Sequence, residues 1–248
     1  QTIKRFGWSA KFVDTDDLGA VSKACDKNTR AIFCETIANP GGYVTDIPAL
    51  AKIADRKGIP LIVDNTTATP WLCKPIEMGA TLVVHSATKY LTGNGTVTGG
   101  IVLDSGKFDW SASDKFPSLS QPEPAYHGLV FHPTLGSMAF TFHSIAIGLR
   151  DLGMTMNPQG AHYTLMGIET LGLRMERHVK NAQKVAEWLE ADPRVEAVTY
   201  AGLKSSPYHK RAKKIVPKGA GALFTVALKS GYDGCVRMID RAKLFSHV

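Results

Sequence analysis

The chain has 248 residues, 44% of them hydrophobic and 21% charged, a globular composition with room for one large domain or somewhat more. The formal charge is +7, but the basic residues are scattered, with only short clusters at Lys210-Arg211 and Lys213-Lys214 and no basic stripe interleaved with aromatics, which argues against nucleic-acid binding. No apolar run approaches the length of a membrane span, and Cys25, Cys34, Cys73 and Cys235 lack metal-ligand or redox spacing; this pattern predicts a reduced, cytoplasmic protein in which Cys34 and Cys73 are core thiols.

Gln1 to Gly7 reads as the end of a helix closed by Gly7. Ala10 to Val13 alternates like a short strand. Asp16-Asp17 offers an N-cap to a helix whose apolar face is Leu18, Val21, Ala24 and Cys25. Ala31 to Cys34 is a strand that exits into Glu35-Thr36-Ile37-Ala38-Asn39-Pro40, where Gly41-Gly42 turns the loop. Asp46 caps the next helix, which carries Pro48 in its first turn and Gly58 past its end. Pro60 to Val63 is a strand ending at Asp64-Asn65-Thr66. A short crossover from Trp71 to Met78 leads to the strand from Thr81 to Val84, which breaks into Ser86-x-Thr88-Lys89 and a glycine-rich loop. This β-α-β-α-β alternation predicts an α/β fold with a parallel sheet and right-handed crossovers.

Three successive strand ends thus carry Asn39, Asp64 and Ser86/Thr88/Lys89 along one edge, where open α/β sheets bind ligands. Taken alone, Ser-x-Thr-Lys is a common loop sequence, Asp64 fits a turn or helix cap, and Asn39 fits an Asn-Pro turn. Taken together they suit one ligand. A lysine there either pairs with a phosphate or attacks a carbonyl as an amine, and the two hydroxyls beside it suit phosphate. Pyridoxal 5'-phosphate (PLP) carries both an aldehyde and a phosphate, and its ring nitrogen works best protonated, which a carboxylate such as Asp64 maintains. The Gly93-x-Gly95 loop matches neither a dinucleotide nor a Walker loop.

Thr96 to Leu103 is a further strand, and residues 104–136 read as a long Ser-, Pro- and aromatic-containing loop, functional or mobile. Met138 to Leu152 is one helix ended by Gly153. After Pro158 comes the longest helix, striped by Leu165, Ile168, Leu171, Met175, Val179, Ala182, Ala186 and Leu189 up to Asp192-Pro193. On it, Arg174 and His178 read as packing or salt-bridge residues. Strands at Val195 to Tyr200 and Ala222 to Leu228, a basic helix between them and a helix from Asp233 to Lys243 complete an α+β second half; Leu244 to Val248 resembles the start of a further strand. The expected division is 1–136, a cofactor-binding large domain that includes the loop 104–136; 137–192, a helical connection; and 193–248, the beginning of a smaller domain.

Four ordered segments, Glu35-Thr36-x-Ala38-Asn39-Pro40, Val63-Asp64-Asn65-Thr66, Val84-His85-Ser86-Ala87-Thr88-Lys89-Tyr90 and Leu173-Arg174-Met175-x-Arg177-His178-x-x-Asn181-Ala182, resemble the Cys/Met-metabolism PLP enzymes. Within that family, Phe108-Asp109-Trp110, Gln121 to Gly128 and Gly148 to Gly153 look most like the O-acetylhomoserine sulfhydrylases. The resemblance implies a fold-type I architecture, usually assembled as a homotetramer of two dimers. It implies that Lys89 forms the Schiff base and moves protons, Asp64 holds the pyridinium, Ser86 and Thr88 bind the phosphate, Asn39 bonds the phenolic oxygen and Thr66 lies near the ring. The sequence departs from many relatives at Thr81, where they have Asp, and at Asn94, where they have His.

The function this implies is PLP-dependent conversion of O-acetyl-L-homoserine and sulfide to L-homocysteine and acetate. Cystathionine γ-synthase, a cystathionine or methionine γ-lyase, and a non-catalytic PLP- or phosphate-binding module are the alternatives. The resemblance also reads the chain as a fragment. It would begin after the ring-stacking aromatic and the glycine-containing phosphate loop, and end before the substrate-carboxylate serine and arginine, so that alone it would show no turnover.

Overall fold

A computed structural model describes residues 2–244. The apolar runs form strands β1 (Ile32–Glu35), β2 (Leu61–Asp64), β3 (Leu82–Ser86) and β4 (Gly100–Asp104), hydrogen-bonded in that order. β1, β2 and β3 are parallel, with Cys34 opposite Val63, Glu35 opposite Asp64, and Asp64 opposite Val84. Helical crossovers join these strands, as parallel pairing requires. β4 returns antiparallel, with Ser86 opposite Gly100, because the 87–99 connection holds one tight turn and a glycine loop and no crossover helix. The sheet is mostly parallel.

The caps expected from the sequence close the helices. Helix α1 (Leu18–Ala24) is capped by Asp17, which accepts from the Ala20 N–H at 2.8 Å. Helix α2 (Ile47–Lys57) is capped by Asp46 on Ala49 N–H at 3.1 Å and stops at Gly58, whose φ of +58° is the left-handed conformation glycine adopts without cost. A one-turn helix α3 (Thr69–Leu72) follows β2. Short helices α4 (Pro117–Ser120), α5 (Phe131–Leu135) and α6 (Ala139–His143) lead to the long pair α7 (Pro158–Glu169) and α8 (Leu171–Glu190). Strands β5 (Val195–Thr199) and β6 (Thr225–Leu228) pair antiparallel, with α9 (His209–Ile215) between them in sequence and α10 (Gly231–Arg241) after them.

Four expectations need correction. Residues 10–13 alternate but form no strand: among the described residues no neighbour pairs with them, and Phe12 is 98% exposed. The segment 104–136 is not an open loop. Trp110, Leu119 and Phe131 pack with Leu82 and Ala139 in a core of their own, and the Trp110 ring stacks on Phe140 at 5.2 Å. The helix expected over 138–152 is α6 followed by a π-helical run, Ser144–Asp151. The helix expected from Pro158 onward is two, meeting at Thr170, whose φ/ψ of −100°/1° lies outside the helical range. The apolar stripe runs through both helices, so periodicity does not register the break. Of the strand read at 244–248, residues 245–248 lie outside the described residues.

Alternate residues of the sheet feed two cores. Leu61, Val63 and Val83 enter the larger one, with Ile47, Leu50, Met175, Tyr200 and Leu203; Ile62 and Leu82 enter the smaller one on the other face. The larger core continues past residue 192, through Ala212, Ile215 and Val216 of the α9 region. There the Tyr208 hydroxyl donates to Asp16 at 2.6 Å, and Arg211 bonds both Asp16 and the Val44 carbonyl.

Helix α7 crosses the turn after β3 at Gly167, where an added Cβ would stand 2.3 Å from both the Leu91 and the Thr92 carbonyl oxygens. Backbone cannot yield as a flexible side chain does. Gly167→Ala is expected to lower stability by about 1–3 kcal/mol or more, as overpacking does. Urea unfolding of the two chains checks this; an unchanged midpoint would mean that α7 moves away at no cost.

Candidate active site

The carboxyl ends of β1, β2 and β3 are knitted together by one buried residue, through its side chain and its backbone. Asn65, 1% exposed, accepts from the Thr36 hydroxyl at 2.7 Å and donates from Nδ2 to the Cys73 carbonyl at 2.9 Å. Its own N–H bonds the Val84 carbonyl at 2.9 Å, and its carbonyl accepts from the Thr69 N–H at 2.7 Å. Thr69 is fully buried and has φ of +63°, a conformation that costs a β-branched residue energy and is held by these bonds.

Asp64, Thr66 and Ser86 are brought together at this edge. The half-buried Asp64 carboxylate accepts from the Thr66 N–H at 2.8 Å through Oδ1, which fixes its direction. The turn-aspartate role and a ligand role thus coexist, since a carboxylate has two oxygens. The Thr66 hydroxyl oxygen accepts from the Ser86 N–H at 2.8 Å, joining the end of β2 to the end of β3. Thr88 Oγ1 accepts from the Gly99 N–H at 3.0 Å, leaving its proton for another acceptor; the Gly99 carbonyl is 3.4 Å away. Lys89 follows on an exposed turn, with φ/ψ of −90°/−119° interrupting the π-helical stretch Ala87–Leu91. Asn39 is the outlying member. It is exposed, four residues past the end of β1, and its N–H bonds Glu35 Oε2 at 2.7 Å.

Three residues at or beside the site escaped the sequence reading. Asn65 follows the acid at the end of an apolar strand, and asking how a buried amide there is satisfied would have singled it out. His85 is 6% exposed, lies on the sheet face opposite to Asp64 by strand alternation, and has a buried Nδ1 with no partner among the described residues. Burial pushes its pKa down, against the pull of the Asp64 charge. Arg174, read as a packing or salt-bridge residue, bonds backbone carbonyls beside Lys89. The cysteine reading holds: burial raises both the Cys34 and Cys73 thiols to about 12, so neither is a thiolate at neutral pH.

Residues 1–248 match the family described as Cys/Met metabolism PLP-dependent enzyme. Across its whole length the chain is 44% identical to homocysteine synthase of Schizosaccharomyces pombe, covering 58% of that protein. It is also 44% identical to O-acetyl-L-homoserine sulfhydrylase of Corynebacterium glutamicum, covering 57% of it. The chain therefore spans little more than half the length of these relatives. Among solved structures, a protein described as an O-acetylhomoserine (thiol)-lyase of Campylobacter jejuni, containing N'-pyridoxyl-lysine-5'-monophosphate, superposes with a TM-score of 0.95 at 38% identity. The match covers all of this chain and 61% of that one. O-acetylhomoserine sulfhydrylase of Wolinella succinogenes gives a TM-score of 0.83 at 36% identity, covering 98% of this chain and 65% of that one.

The depressed pKa of His85 has a consequence for stability. The unfolded chain takes up this proton near 6.5, whereas the folded chain takes it up only at lower pH, so the unfolded state binds more protons in between. Stability is therefore expected to fall as pH drops through 6.5 toward the folded pKa, and to be insensitive to His85 above that window. His85→Leu should flatten this part of the curve relative to the parent. Chemical unfolding at a series of pH values reads it; equal slopes for the two chains would show that His85 does not titrate on unfolding.

Proposed function

The chain belongs to the Cys/Met metabolism PLP-dependent enzymes, of fold type I, and on that premise we propose that the edge at β2 and β3 binds pyridoxal 5'-phosphate and converts O-acetyl-L-homoserine and sulfide to L-homocysteine and acetate. The observation that carries this reading is the convergence of a half-buried, oriented carboxylate (Asp64), two hydroxyl residues (Ser86, Thr88) and an exposed lysine (Lys89) at adjacent strand ends. These residues fit the cofactor. Asp64 is held by the Thr66 amide in one direction, as a partner for a ring nitrogen must be. Thr88 donates only a long 3.4 Å bond to the Gly99 carbonyl, which a phosphate oxygen can replace, and Ser86 lies two residues before it. Asn39 is assigned to the phenolic oxygen and Thr66 to the vicinity of the ring.

Bound pyridoxal phosphate supplies an aldehyde for a covalent link and an electron-withdrawing pyridinium. The chain's residues do the rest. The Lys89 amine would anchor the cofactor; when free it would take a proton from Cα and one from Cβ, and would return one to each carbon after sulfide has added at Cγ. Asp64 keeps the ring nitrogen protonated by charge. The departing acetate carries away the Cγ–O electron pair, so sulfide replaces acetate without net oxidation. The names of both relatives and both structural neighbours support this substrate pair.

The reading extends to a cytoplasmic, homo-oligomeric enzyme, a tetramer built from dimers, and to the division at residues 136 and 192 with a smaller domain beginning at 193. Among the described residues no helix is long and apolar enough to cross a membrane. Apolar side chains exposed at Phe142, Ile145, Leu149, Leu152 and Met154 support self-association.

In the full-length protein, Lys89→Ala is expected to abolish turnover and borohydride fixation of the cofactor, read by peptide mass spectrometry. Asp64→Asn is expected to keep the fold and slow homocysteine formation by roughly a hundredfold or more, as loss of an electrostatic stabiliser does. Full activity of Lys89→Ala would refute the assignment of the lysine, and activity of Asp64→Asn within a few-fold of the parent would place the ring nitrogen against another group.

A further inference from the structure

Arg174 spends its guanidinium on carbonyl oxygens. NH1 donates to Tyr90 O at 2.9 Å, the residue directly after Lys89; NH2 donates to Gly167 O at 2.6 Å, in the last turn of α7, and lies 3.5 Å from Leu91 O. Nε donates to Thr170 Oγ1 at 3.0 Å, at the joint between α7 and α8. Among the described residues no carboxylate lies within salt-bridge distance of it. One planar fork thus serves the end of a helix and the turn that bears Lys89, a geometry a lysine ammonium cannot reproduce. Gly93 makes room: its φ is +83°, and an added Cβ would stand 2.5 Å from the guanidinium.

The turn is held on both sides of Lys89. Before it, the Ala87 N–H bonds Gly99 O at 2.9 Å and Thr88 is tied to Gly99. After it, Arg174 holds Tyr90 and Leu91. Further along, the Thr92 and Thr164 hydroxyls bond at 3.0 Å within the protein, and the Tyr90 ring meets the His178 ring edge-on at 5.5 Å. Without Arg174, Thr92 stays anchored, the Lys89 carbonyl keeps the Gly93 N–H at 2.9 Å and Leu91 stays in the larger core, but the Tyr90 carbonyl loses its guanidinium partner and the link to the α7–α8 joint is lost.

We propose that Arg174 is a positioning residue for Lys89: by bonding the Tyr90, Leu91 and Gly167 carbonyls it holds the lysine-bearing turn against the α7–α8 joint and so sets where the amine points. This rests on the reading of Lys89 as the cofactor lysine. Misplacing a reacting group by about 1 Å costs on the order of a hundredfold in rate, without a matching loss of substrate binding.

The test uses the full-length protein with Arg174→Ala and Arg174→Lys, the second keeping the charge while losing the fork. Four readouts are taken: hydrogen exchange of the amides at 89–91, the pH midpoint of the visible band of added pyridoxal phosphate, the rate of borohydride fixation at Lys89, and kcat against KM. Expected in both variants are exchange faster by about tenfold at 89–91, as local opening is eased, a displaced pH midpoint and slower fixation. A kcat lowered by roughly a hundredfold with KM little changed is also expected. Unchanged pH midpoint and fixation rate, with only a lower melting temperature, would make Arg174 a purely structural residue and overturn the proposal, as would full rescue by lysine. Absence of fixation at Lys89 in the parent would instead overturn the reading of the lysine, while the exchange data would still report on the tether.

Discussion

The buried amide of Asn65 is the constraint on which the rest of this edge depends. It lies where three parallel strands end, a place where backbone groups lose their ladder partners and must find others. One side chain and its own backbone make four bonds there, reaching Thr36 after β1, Val84 in β3, Thr69 at the start of α3 and Cys73 beyond it. In a low-dielectric setting such bonds are strong, and an unpaired member is costly, so the network holds one geometry. Asp64 and Thr66 flank Asn65 directly. Their directions are thereby inherited from a residue that never faces a ligand.

The antiparallel return of β4 adds a second constraint. It brings Gly100 beside Ser86 and Gly99, the residue just before β4, within reach of Thr88 as its backbone partner. An extra parallel strand reached by a helical crossover would have placed other residues there. An added Cβ at Gly100 would stand 3.6 Å from the His85 carbonyl, an ordinary contact, and one at Gly99 would stand 2.4 Å from the terminal methyl of Met156, a flexible side chain that can move aside. Met156, from the segment before α7, thus lays a flexible thioether beside Gly99.

Much of this was legible in the residues. Runs of β-branched and aliphatic residues marked β1 to β3, and Asp17, Asp46 and Gly58 marked helix ends, because these signals are local. Lys89, Asp64 and Ser86 were legible as strand-end polar residues. What escaped was non-local. The break at Thr170 leaves the apolar stripe continuous, so periodicity gives no sign of it. The small core of Trp110, Leu119 and Phe131 forms from residues rich in turn signals, whose aromatics pair across short helices that are too brief for periodicity to show. The alternation at 10–13 was real, but a strand exists only where another strand meets it. Arg174 was read as a packing or salt-bridge residue; its bonds go instead to carbonyls, those of Tyr90 and Leu91 far away in sequence, and carbonyls carry no signature in a side-chain pattern.

Strand β3 has only five residues, yet neighbouring positions enter different cores: Val83 the larger, Leu82 the smaller. A slip of one residue against β2 would send each of them to the wrong side, bring buried His85 to the opposite face, and move Ser86 away from the Thr66 hydroxyl. No neighbouring register satisfies both interiors at once. The register of the strand that leads to Lys89, and with it the position of the lysine along the sheet, is thus fixed by hydrophobic sorting between the two cores and needs no ligand to set it.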